Sequence, residues 1–217
     1  DYADAEELFS KSYAYFSSTS SGFLKHAHQY SENIIKRLNL DEKNFVIEIA
    51  SNDGYLLKNF VEAKIPCLGV EPTDSTADAA EALGIPVLRE FFGEKIASHI
   101  AIDHKKADLI SGNNVYAHVP DINDFTKGLA AVLESSGTIT LEFPHLMKLL
   151  EFNQFDTIYH EHFSYLSLFS VSKIFASAGL RVYDVEELST HGGSIRVFGC
   201  HDEANIQETN AVQLMLN

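Results

Sequence analysis

"FVIEIASNDGYLLKNFVEA", residues 45–63, is the stretch whose reading decides the fold. Its first six residues form a continuous apolar run broken by one acid, Glu48, the composition of a strand buried on both faces. From Gly54 onward the apolar residues recur at helical spacing. Between the two lies a short polar turn, "SNDG". A buried strand that turns directly into a helix is the opening unit of an α/β sheet.

The alternation continues on both sides. Residues 1–40 read as a polar, helical lead-in, with "SSTSSG" (17–22) separating two helices and Ser20 or Ser21 capping the second. Downstream, "PCLGVEP" (66–72), "ADLISGNN" (107–114) and "TITLEFP" (138–144) read as strands, and "IPVLREFF" (85–92) as a short strand leading into a loop. "TADAAEALG" (76–84), "INDFTKGLAAVLESSG" (122–137) and "LFSVSKIFASAG" (168–179) read as helices closed by glycine. "LRVYDVEEL" (180–188) and "SIRVFGC" (194–200) are strands joined through "STHGG". Five parallel strands and a final hairpin make seven, an open doubly wound α/β sheet, mostly parallel with an antiparallel last strand.

The chain of 217 residues is 45% hydrophobic, which supports a substantial core. Its 31 acidic residues against 16 basic give a net charge of −15. Nucleic acids and anionic membranes are bound chiefly through Lys and Arg, so we expect neither as a partner. The two cysteines, Cys67 and Cys200, fit a reducing, cytoplasmic setting and exclude a cysteine-based zinc site within this chain.

In doubly wound sheets ligands bind beyond the carboxyl ends of the strands. A dinucleotide turn needs three glycines so that pyrophosphate can approach the backbone. Here Gly54 is kept, Ala50 and Asn52 stand in the other glycine places, and Asp53 would repel a phosphate. S-adenosylmethionine (SAM) carries no phosphate and ends in a zwitterion. The acid and amide groups of Glu48, Asn52 and Asp53 suit its ammonium, and Glu71, closing the second strand, suits the ribose hydroxyls. Phe91 and Phe92 are candidates to flank adenine or are ordinary core.

Three polar stretches follow predicted strands: "NNVYAH" (113–118), "EFPH" (142–145) and "YHEH" (159–162). His160 and His162 would share one face on a strand, and with His118 or His145 they could ligate zinc or iron. A polar loop of hydrogen-bonded histidines is the plain alternative. Acid–base chemistry is the reading we favour, because His titrates near neutrality and Tyr can donate to an oxyanion.

Taken together, "VIEIASNDGYLL", "GVEP", "NNVYAHVPDINDF", "LEFPHL", "FDTIYHEHFSYLS" and "THGGSIRV" resemble the SAM-dependent sugar C-methyltransferases, from about Tyr13 to Cys200. These act on nucleotide-linked 4-keto deoxysugars. The resemblance implies a Rossmann-like, seven-stranded SAM-dependent methyltransferase fold over 41–203, with residues 204–217 beginning a C-terminal domain. It implies a nucleotide-sugar substrate, probes of which would be thymidine-diphosphate sugars. Flanking cysteine-rich zinc-binding and C-terminal domains, common in the family, lie outside this chain. His162 matches the family's base, Tyr159, His118 and Tyr13 match residues of the sugar site, and Glu161 matches an acid supporting the base. Glu48, Ala50, Asn52, Gly54, Glu71, Phe92, Asn113 and Asn114 are the expected cofactor contacts. The rival readings are a metal-dependent hydrolase or lyase built on the His-x-His pair and a non-catalytic SAM-binding module.

Overall fold

A computed structural model describes residues 15–217, the side chain of His191 excepted. Tyr13 and the first predicted helix lie outside the described residues. The chain divides into two compact units, the first ending at Phe92 and the second running from Gly93 to Asn217.

The first unit begins with α1 (Ser21–Leu38), whose N-cap is Ser20; its hydroxyl accepts from the Phe23 N–H. Asn39 ends the helix in the left-handed conformation that Asn tolerates, φ 52°. Then come β1 (Val46–Ile49), α2 (Leu57–Glu62), β2 (Cys67–Val70), α3 (Asp74–Ala82) and β3 (Val87–Leu88). β1 pairs parallel with β2, Val46 opposite Cys67, and β2 pairs parallel with β3, Gly69 opposite Val87. All four residues of β1, Glu48 among them, are buried, as expected of a strand covered on both faces. The third strand is short and leads into a loop, as the reading of "IPVLREFF" expects. Just beyond β3 Arg89 binds Asp74, Asp78 and Glu81 on α3.

The second unit contains α4 (Glu94–Asp103), β4 (Ala107–Asn113), α5 (Ile122–Val132), β5 (Leu133–Pro144), α6 (Leu146–Glu151), α7 (Leu168–Ser177), β6 (Leu180–Leu188), β7 (Ser194–His201) and α8 (Asn210–Leu216). β4 and β5 are parallel, and β7 lies between β5 and β6, antiparallel to both. The predicted helix 122–137 stops at Val132, because Leu133 enters β5 opposite Ala107 and a register shift follows in β4. The core of this unit gathers around Tyr116, whose ring meets Phe125, Phe143 and Phe175 at centroid distances of 5.7, 6.0 and 6.4 Å. Cys67 and Cys200 are buried free thiols, and burial pushes Cys67 up to about 11. Among the described residues no helix is long and apolar enough to cross a membrane.

Candidate functional site

Each unit presents part of the chemistry. In the first, β1 leads into the turn 50–54, where Ala50 (φ 56°), Asn52 (φ 49°) and Gly54 (φ 77°) all take the left-handed conformation. The turn thus has the backbone of a glycine-rich loop with one glycine. Ala50 holds its place at a steric cost of about 1–2 kcal/mol. A side chain at Gly54 would be strained by its φ and would crowd Ala80, whose Cβ and Cα would lie 3.2 and 3.3 Å from the added Cβ.

The polar groups of the turn are partly spent on the protein itself. Glu71 accepts from the backbone N–H of Asn52 and of Thr73, each at 2.9 Å, which fixes its carboxylate beside the turn. The Asn52 amide accepts from Ser17 N–H and donates to the Tyr15 carbonyl, both at 2.9 Å, and Asp53 Oδ2 accepts from Ser18 N–H at 3.0 Å. The Asn52 side chain, expected to contact the cofactor, therefore tethers the lead-in to the turn.

Glu48 is buried, and burial above all, then the charges of Glu71 and Asp53, hold its carboxyl well above the usual range despite a backbone bond from Leu57. Glu48 Oε2 and Asp53 Oδ1 are buried acceptors with no hydrogen bond. Orphaned acceptors on closely spaced acids fit a ligand that brings N–H or O–H donors and positive charge, as SAM does. They do not fit a diphosphate. Phe92 is half-buried and Phe91 exposed.

The second unit assembles the histidines. β4 ends at Asn113; Asn114 (φ 54°) donates its N–H to the Glu142 carbonyl at 2.7 Å. The side-chain Oδ1 atoms of Asn113 and Asn114 are buried without a hydrogen bond, which leaves both able to accept from a ligand. A 3-10 turn, Tyr116–His118, follows. Tyr116 is fully buried, its hydroxyl paired with Thr126 Oγ1 at 2.7 Å, so this tyrosine of "NNVYAH" anchors the turn in the core and lets His118 project from it.

The Ala117 carbonyl accepts from the N–H groups of Phe163 (2.9 Å) and Ser164 (3.1 Å), which stitches "NNVYAH" to "YHEHFSY". His118 and His162 meet edge to face at 4.7 Å between ring centroids, and Tyr159 lies 4.3 Å from His162. Tyr165, to which the sequence assigned no role, has its ring edge to face with His162 at 6.0 Å. His162 Nδ1 is 2.8 Å from the Thr157 carbonyl and must donate to it, so Nε2 carries the lone pair. Burial first, and then His162, lower His118 to about 4 against a backbone hydrogen bond with Glu161, so its imidazole is neutral at neutral pH.

"YHEH" is a turn rather than a strand, closed by His162 N–H donating to the Tyr159 carbonyl at 3.1 Å. The His-x-His pair consequently does not share a face: His160 is exposed and His162 half-buried. His145 is buried at the start of α6, its N–H bonded to the Gly193 carbonyl. Among the described residues no three His, Cys, Asp or Glu side chains gather as a metal site. Glu161 is half-buried, and its backbone serves His118.

A family profile described as "Methyltransferase domain" matches residues 23–185. The chain belongs to the methyltransferase-domain family. It is therefore a transferase domain with SAM as methyl donor, as the turn at 50–54 led us to expect. A curated relative, the C-methyltransferase NovU of Streptomyces niveus, is 37% identical over 204 residues, which is 94% of this chain and 49% of that protein. The chain thus spans about half the length of that relative.

Solved structures share the fold at low identity. A SAM-dependent methyltransferase from Clostridium acetobutylicum has a TM-score of 0.64 at 13% identity, over 82% of this chain and 92% of that one. The magnesium protoporphyrin IX methyltransferase of Synechocystis, with bound SAH, has a TM-score of 0.63 at 13% identity, over 83% of each chain. The seven strands, the predominance of parallel pairing and the antiparallel β7 are the Rossmann-like methyltransferase fold expected from the sequence.

Proposed function

We propose that this domain, in the whole protein to which it belongs, transfers the methyl group of SAM to C3 of a nucleotide-linked 4-keto deoxysugar. The observation that carries the reading is the His118–Tyr159–His162 cluster with His162 Nδ1 tied to the Thr157 carbonyl. Such a group can take a proton at one nitrogen and steady an oxyanion with its neighbours. The name of the 37% identical relative, a C-methyltransferase, supports carbon as the acceptor.

The C4 ketone acidifies the proton on C3. His162 Nε2 takes that proton; the C3–H electron pair moves into the C3–C4 bond and the carbonyl π pair onto the C4 oxygen. A hydrogen bond from the Tyr159 hydroxyl or the neutral His118 imidazole stabilises the enolate, as oxyanion donors do by a few kcal/mol. Bound SAM supplies an electrophilic methyl group for the carbon nucleophile. Glu71 is suited to the ribose hydroxyls, and Glu48 and Asp53 to the ammonium. In that same first unit Phe92 is a candidate flank for adenine, and in the second unit Asn113 and Asn114 are candidate ligand contacts through their buried Oδ1 atoms.

The test is turnover by the full-length protein on thymidine-diphosphate 4-keto deoxysugars, with the position of the new methyl group read by NMR. Methylation at C3 is expected; methylation at oxygen or nitrogen overturns the reading.

A further inference from the structure

The "THGG" turn is the conspicuous motif that the proposed chemistry leaves without a task, and its contacts lead back to the base. Residues Thr190–Gly192 form a 3-10 turn that is held from below. The Thr190 hydroxyl donates to Glu142 Oε1 at 3.1 Å and its carbonyl accepts from Ser194 Oγ at 3.0 Å, while Glu142 is paired with Arg196 at 2.7 Å. The Gly193 carbonyl accepts from His145 N–H at 3.0 Å. This turn is a fixed point.

The segment that carries the base is anchored differently. α6 buries none of its residues, and Phe155 and Ile158 are 79% and 59% exposed. Hydrophobic burial therefore does little to fix the 3-10 turn Phe155–Thr157. Polar contacts do more. Gln154 Nε2 donates to the Gly192 carbonyl at 2.7 Å. The Gln154 carbonyl in turn accepts from Thr157 Oγ1 at 2.8 Å and from Thr157 N–H at 3.2 Å. The Thr157 carbonyl is the acceptor for His162 Nδ1. Gly192 has φ 76°, and a Cβ on it would lie 2.6 Å from Gln154 Nε2. Glycine at that position is what allows the amide to close on the backbone.

We infer that Gln154 is a positioning residue: clamped to the Gly192 carbonyl, it sets the Thr157 carbonyl and so presents His162 Nε2 toward the substrate. The inference rests on His162 acting as the base. Loosening the clamp should therefore misalign the base.

The experiment uses the full-length protein with a thymidine-diphosphate 4-keto deoxysugar. In Gln154→Glu the donor amide becomes an oxygen facing the Gly192 carbonyl at nearly unchanged size; Gln154→Ala carries the same test if that variant folds poorly. Expected are a kcat lower by about tenfold or more, as a misplacement near the chemistry produces, with an unchanged KM for SAM and an unchanged melting temperature. A wild-type kcat, or a kcat loss that comes only with a lowered melting temperature, overturns the inference. His162→Asn, run in parallel, separates the two claims. If it still exchanges the C3 proton with D2O, the base assignment and the inference fall together. If it is inactive while Gln154→Glu behaves as wild type, only the positioning role falls.

Discussion

Replacing Arg196 by Met should be among the most damaging single changes in the second unit. The Arg196 and Glu142 side chains are 7% and 1% exposed, and their charged atoms are 2.7 Å apart. At that distance, with an effective dielectric constant of about 20, the attraction is about 6 kcal/mol before desolvation. The net value of such a pair is far smaller, yet removing one partner leaves the other charge buried and typically costs about 3–5 kcal/mol. The Glu186 contact at 3.3 Å involves a 45% exposed carboxylate and adds at most about 1 kcal/mol. Against a usual total of about 5–15 kcal/mol, the loss would move a urea midpoint substantially. The chain has no Trp, so far-UV circular dichroism is the suitable probe. The Glu142→Met/Arg196→Met pair should cost less than the sum of its singles by about 2 kcal/mol or more, within the range that contacting residues show. An Arg196→Met cost below about 1 kcal/mol, or strict additivity, would refute the reasoning.

Three further outcomes are expected. Ala50→Gly should stabilise the first unit by up to about 1 kcal/mol, because it relieves the left-handed strain at φ 56° at some entropic cost; a fall in melting temperature counts against that account of the turn. Glu71→Ala leaves the N–H groups of Asn52 and Thr73 without their carboxylate acceptors and should weaken SAM at least about tenfold by calorimetry; an unchanged dissociation constant removes Glu71 from the cofactor site. His118 titrates near 6.5 in the unfolded chain and is lowered to about 4 in the fold. The unfolded state therefore binds more protons between those values, so this contribution to stability is complete above about pH 6.5 and is lost as pH falls through about 4. Melting temperatures of wild type should drop more steeply than those of His118→Asn over that range.

Much of the fold could be read because its signals are local. Strand β6 matches its sequence reading at both ends, 180–188, and of the two serines offered as cap of α1 it is Ser20 that fills the place. Errors arose where tertiary pairing overrode local preference. Leu133, read as part of the helix, instead pairs with Ala107 in the sheet. The candidate site divides in the same way. The residue types of "NNVYAH" and "YHEH" announce chemistry, but not that Tyr116 is core, that "YHEH" is a turn, or that Asn52 tethers Tyr15 and Ser17. The Thr157 carbonyl that orients His162 could not be found by inspecting the sequence, since every residue has a carbonyl.

The central claim is that His162 removes a proton from the carbon that is methylated. Its most direct test is hydrogen–deuterium exchange at C3 of a thymidine-diphosphate 4-keto deoxysugar in D2O, with SAH in place of SAM, using full-length wild type and His162→Asn. The account predicts exchange catalysed by wild type and abolished in the variant, with SAH binding equal in both. Undiminished exchange by His162→Asn would contradict it.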